Sequence, residues 1–140
     1  MFYGDSPTAI RQQFLTSFNK HQNNQPLSAL EAELVAVMIE HPEYHAELTS
    51  PHILDASYHP ELGQTNPFLH MGLHLAIREQ VATDRPTGIQ ALFKSHVQQS
   101  QEAHITEHAF MDCLAECLWL ANKNQQPPDE IAYLALLQKL

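Results

Sequence analysis

Apolar residues recur every third or fourth position through most of the chain, and polar punctuation divides them into helices. Ile10, Phe14 and Phe18 follow Ser6-Pro7, a cap residue with proline in the first helical turn, and predict a first helix. Ser28 with Glu31 three residues later has the capping-box pattern and opens a second helix whose Leu30, Leu34, Val37 and Met38 form one stripe up to Glu40. Pro42 cannot continue that helix yet can start another, so a short helical turn over Pro42 to Leu48 carries His45 and leaves His41 at the junction. Asn66-Pro67 repeats the cap-plus-proline signal. Phe68 to Ala82 follows as a helix apolar over most of its circumference, expected to be the central one. Pro86 is expected to open a helix through Val97, Ser100 to cap a long one through Asn122, and Asp129 to cap the last through Leu140.

Between Thr49 and Thr65 the periodicity fails, with Pro51, Pro60 and Gly63 in a polar run that also holds His52 and His59. Residues 49–65 are therefore a loop or cover with a short helix around His52 to Leu54. No segment has the alternation of a strand. The expected architecture is all-α, one domain over residues 1–140, a compact antiparallel bundle of about five to seven helices with a long irregular connection in the middle.

A net charge of -9, with only seven Lys and Arg scattered singly, leaves no basic patch for nucleic acid or an anionic membrane surface. No stretch approaches the ~20 apolar residues of a membrane span, and Met1 to Thr8 does not read as a signal peptide, so a cytoplasmic protein is expected. The two cysteines, Cys113 and Cys117, fall on one helix and read as reduced core thiols.

The chemistry lies in the histidines. His41 and His45, His70 and His74, and His104 and His108 each stand four residues apart, which on a helix offers two imidazoles to one metal ion. His70 and His74 share a face with Leu73, Ile77 and Val81, so both should be buried. On the helix after Ser100 the apolar side is centred on Phe110, Leu114, Leu118 and Ala121, and Glu107 falls within it. A buried carboxylate demands a partner, and Arg78, a histidine or a metal would serve. Cys113 and Cys117 lie roughly opposite His104 and should not share an ion with it. His96 reads as a core histidine with one hydrogen-bond partner, while His21, His52 and His59 read as solvated.

These placements predict one transition metal, zinc or iron, held by His70, His74, His104 and His108, with His41 or His45 contributing from the cover and Glu107 as ligand or general base. An open coordination position would permit hydrolase-like chemistry by metal-bound water, with Glu107 taking its proton. His104 to His108 also fits the HxxEH zinc-peptidase pattern, but the chain is too short for the usual peptidase body. The rival reading is a metal-free helical interaction module or homodimer, presenting the Ile131, Leu134, Leu137 and Leu140 stripe; packing of that stripe back onto its own bundle is the plainer expectation.

The segment Thr65-Asn66-Pro67-Phe68-Leu69-His70-Met71-Gly72-Leu73-His74-Leu75-Ala76-Ile77-Arg78-Glu79-Gln80, with His41-Pro42-Glu43-Tyr44-His45 before it and Glu107-His108 to Trp119 after it, resembles the uncharacterised bacterial family called domain of unknown function 1841. The resemblance covers essentially the whole chain. It implies a bacterial cytosolic setting and carries no activity, ligand or catalytic residue with it.

Overall fold

The computed structural model describes residues 7–140, which form seven α-helices and, among the described residues, no strand. The Ser6 cap expected for the first helix lies outside them. The chain is all-α, and it groups into two compact units that divide between Met71 and Gly72, inside a continuous helix. No helix among the described residues is long and apolar enough to cross a membrane.

The first unit is built on α1 (Pro7–Gln22) and α2 (Ala29–Ile39), which pack as a helical hairpin. The capping box forms as its sequence predicts: Ser28 Oγ accepts from the Glu31 amide at 3.2 Å and Glu31 Oε1 accepts from the Ser28 amide at 2.9 Å. Glu31 Oε2 also meets Lys20 Nζ at 2.8 Å, closing the hairpin across its mouth. Phe14, Phe18, Leu34, Val37 and Met38 are buried between the helices. After Glu40 the chain makes a 3-10 turn at Pro42–Tyr44 and a single turn, α3 (His45–Leu48). The irregular stretch carries 3-10 turns at Ile53–Asp55 and Pro60–Leu62.

Arg11 holds this stretch. Its Nη1 donates to the carbonyls of Ile53 (3.1 Å), Leu54 (3.2 Å) and Ala56 (2.8 Å), and its guanidinium lies 5.1 Å from the Phe68 ring and 5.6 Å from that of Tyr58. A fixed cation thus supplements the backbone bond from the Ala56 amide to the Ile53 carbonyl and reaches the Leu54 and Ala56 carbonyls as well. The sequence reading did not foresee this, because an arginine in α1 and a carbonyl 45 residues later share no local pattern.

α4 (Pro67–Thr83) begins where Asn66 Oδ1 accepts from the amides of Phe68 and Leu69. In the second unit its Ala76 and Ile77 join a core of Ile89, Phe110, Met111, Leu114, Tyr133 and Leu137 contributed by α5 (Ile89–Ser100), α6 (Ala103–Lys123) and α7 (Glu130–Gln138). Cys113 and Cys117 are buried free thiols in the same core. His96 makes one bond, to the Leu137 carbonyl at 3.0 Å.

Four details differ from the sequence expectation. Pro86 does not open α5, which starts at Ile89: Asp84 Oδ1 accepts from the amides of Gly88 and Gln90, and Gly88 takes the left-handed conformation (φ 101°) that only glycine adopts without strain. Ser100 closes α5 rather than capping α6, whose first residue is Ala103 after an extended Glu102. The inward side of α6 turns toward Cys113 and Cys117 and leaves Leu118 42% exposed, because Tyr133 and Leu137 of α7 cover the cysteine side. α7 packs back onto its own unit, with Leu137 fully buried and Ile131, expected in the same stripe, 83% exposed.

Two measurements check this packing. Arg11→Ala is expected to destabilise the protein by about 1–3 kcal/mol in urea melts and to speed amide exchange at residues 53–56, since charged hydrogen bonds to the carbonyls disappear. An unchanged exchange pattern there would show that something else holds the connection. Tyr133 donates its hydroxyl proton to Gln80 Oε1 at 2.7 Å, and burial pushes its phenol well above the usual 10.0. The folded chain therefore holds that proton more tightly than the unfolded one, so its contribution is complete below pH 10 and is lost as pH rises beyond it. Tyr133→Phe should flatten the fall of stability above pH 10; an equally steep fall in the variant would assign it to other groups.

Candidate metal centre

In the first unit, His41 and His45 both turn back onto the end of α2. His41, 4% exposed, uses Nδ1 to donate to the Val37 carbonyl at 2.7 Å, and His45 Nε2 bonds to the Met38 carbonyl at 2.7 Å. The Val37 carbonyl lies in the last turn of α2, where carbonyls lack intrahelical partners, and the Met38 carbonyl also accepts from the His41 amide at 3.1 Å; histidine near a helix C-terminus is a natural further partner for such groups. The two part company there. His45 packs its ring on Phe18, whereas His41 stacks flat on Tyr44 at 5.4 Å and meets the ring of His70 edge-on at 5.1 Å. With Nδ1 carrying the proton given to Val37, His41 keeps Nε2 as the nitrogen with a lone pair. Ligand nitrogens of His41 and His70 lie within 4.8 Å of one another.

In the second unit the arrangement centres on His74, which is fully buried. Its Nδ1 lies 2.5 Å from Glu107 Oε1, and the same oxygen accepts from Arg78 Nε at 3.0 Å and Arg78 Nη2 at 2.9 Å. Burial by itself pushes the Glu107 carboxyl up; hydrogen bonds from His74 and Arg78 outweigh it and hold the group below its usual range. An anionic Glu107 fixes the His74 proton on Nδ1. The His74 Nε2 lone pair then faces His108 Nε2 at 3.1 Å. His104 stands beside them at the exposed edge, its ring 4.2 Å from that of His108 and 5.7 Å from that of His74.

The His74–His108 separation can be weighed against metal bonding. Two imidazole nitrogens each about 2.0–2.1 Å from a tetrahedral ion stand about 3.3 Å apart, so the observed 3.1 Å needs little adjustment. The same distance is also a good N–H···N hydrogen bond if His108 carries its proton on Nε2. The residues fit a divalent ion, and binding it requires only that this one proton move or leave.

Of the residues singled out from sequence, the structure thus brings together His41 with His70, and His74, His104 and His108 with Glu107 and Arg78. Each group has one histidine on α4, His70 in the first and His74 in the second, four residues apart along that helix. His45 stands apart from both. The contributions of Val37 and Tyr44 were not legible beforehand: a backbone carbonyl has no sequence signature, and Tyr44 lies in a turn without periodicity.

The fold is all-helical, and in its second unit histidines of α4 and α6 meet beside Glu107. The family model for a domain of unknown function (DUF1841) matches residues 6–139, and the chain belongs to that family. No curated protein matches it, and no solved structure does.

Glu107 links α4 to α6 through a charge-assisted network in a largely buried position, its side chain only 12% exposed. Glu107→Gln is expected to destabilise the metal-free protein by about 1–3 kcal/mol, because the charge that both donors answer is removed. Urea melts in the presence of chelator measure it. The loss should overlap with that of Arg78→Gln, giving less than the sum in the double variant; strict additivity would mean the two side chains do not act through one another.

Proposed function

We propose that this protein is a small cytoplasmic metal-binding protein that holds one transition ion, zinc or iron, through helical histidines. The observation that carries the reading is His74: its Nδ1 proton is committed to Glu107 and its Nε2 is aimed at a second imidazole nitrogen 3.1 Å away. Carboxylate–histidine–metal triads are built this way, with the carboxylate setting the tautomer and raising the basicity of the ligand nitrogen. His74 and His108 are the primary ligands, and His104 stands beside them at the exposed edge.

His41 has the same preparation as His74, with a backbone carbonyl in place of the carboxylate. His45, committed to Met38 and Phe18, is left out of the ligand set. Glu107 is a positioning residue in this reading; an oxygen that already accepts from three N–H groups gives little support to a general-base role. Imidazole ligands suit zinc, iron, nickel and copper, and the bound ion supplies Lewis acidity or, for iron, redox chemistry. Buried free thiols at Cys113 and Cys117 fit a reducing compartment.

Protein purified without a histidine tag and reconstituted with zinc or ferrous ion is expected to retain one ion per chain by elemental analysis. His74→Ala and His108→Ala should each weaken binding, and Glu107→Gln should weaken it by roughly 10–100-fold through the loss of the orienting bond. His45→Ala should bind as the parent does. Absence of metal after reconstitution, or equal binding by the His74 and His108 variants, would reject the centre in favour of a metal-free histidine network.

A further inference from the structure

The bonds that tie α4 to α6 are separate from the nitrogens that would hold an ion. Glu107 Oε1 meets His74 at Nδ1 and Arg78 at Nε and Nη2, whereas the nitrogens that face one another are Nε2 of His74 and Nε2 of His108. Ala76 and Ile77 of α4 and Phe110, Met111 and Leu114 of α6 add apolar contacts in one core with Ile89, Tyr133 and Leu137. Among the described residues, no buried side-chain nitrogen or oxygen lacks a hydrogen-bond partner. The second unit thus holds its helices together without using the ligand nitrogens. In a small metal module the reverse applies: the ligands themselves gather the chain, so folding and binding are one event.

The imidazoles are also held less firmly toward solvent. His74 is fully buried in the middle of α4 and oriented by Glu107; His108 is half-buried, one turn inside α6; His104 is exposed on the first turn of α6, whose N-terminus carries no side-chain cap. Helix ends open more readily than helix interiors, and the positive end of the helix dipole disfavours a cation beside it. From these features, and resting on the metal reading above, we infer that the ion is exchangeable cargo and not a structural element of the fold, and that it enters and leaves at the His104 edge while the chain stays folded. The exchange partner is a competing nitrogen, oxygen or sulfur ligand approaching from that edge. It displaces His104 first and His74, the buried and oriented ligand, last. The protein is then a carrier or buffer for the ion.

The test uses the full chain loaded with zinc. After treatment with excess chelator the helical circular dichroism should equal that of the loaded form, and melting should stay cooperative, with a midpoint that rises as zinc is added back, as for any ligand that binds the folded state. Loss of helix on chelation would overturn the inference while leaving the metal site standing; failure to bind zinc would overturn both. Mixing the loaded protein with a chromogenic chelator gives the release rate, which is expected to exceed the global unfolding rate from urea kinetics by roughly tenfold or more, since an ion locked in the fold escapes only as the chain unfolds. Release at the unfolding rate would make the ion structural. His104→Ala should release zinc faster by roughly tenfold, at the low end of what a lost supporting group costs a metal centre, with its helical signal retained in chelator. An unchanged release rate in that variant would remove the His104 edge from the route.

Discussion

One carboxylate oxygen organises the second unit. Glu107 Oε1 accepts from His74 on α4 and twice from Arg78 one turn farther along the same helix, so a single atom of α6 ties together two side chains of α4. A carboxylate in this position is expensive to desolvate, and only the sum of the three contacts keeps it ionised. The requirement is mutual. A half-satisfied network would leave a buried charge uncompensated, so α4 and α6 can slide little against one another without losing the whole arrangement. The chemistry of His74 follows directly, because an ionised acceptor at Nδ1 decides which ring nitrogen remains available.

The same physics acts at a second place with a weaker acceptor. His41 is oriented by the Val37 carbonyl at the end of α2, a group left over by the geometry of the helix itself. A helix terminus and a buried carboxylate thus produce the same result, an imidazole with its proton held on Nδ1. That a hydrogen-bonded network and a metal centre can share this framework is a matter of one proton: the 3.1 Å between His74 and His108 accommodates either a bridging hydrogen or two bonds to an ion.

The irregular connection depends on a comparable device without any metal chemistry. Arg11 donates to the carbonyls of Ile53, Leu54 and Ala56 and lies near the rings of Phe68 and Tyr58, so a polar stretch with little periodicity still has a defined path. Arginine suits the place because its charge is permanent and its donors are spread over a plane.

The number and placement of the helices were legible in the sequence, because capping and periodicity are local. Ser28 with Glu31, Asn66 with Pro67, and Asp129 each act within a few residues, and their hydrogen bonds form where the pattern places them. Local reading misjudged Pro86, Ser100, Leu118 and Ile131, where the outcome rests on what a neighbouring segment supplies: the Asp84 carboxylate at the start of α5, and α7 over the cysteine side of α6. The candidate site divides the same way. Helical spacing identified the paired histidines and marked Glu107 as a carboxylate in need of a partner. Only the tertiary structure decided that His74 and Arg78 both answer it, that His45 turns away to a backbone carbonyl, and that His74 and His108 face each other. Those choices depend on helix rotation and on contacts 29 to 34 residues apart, which no local spacing encodes.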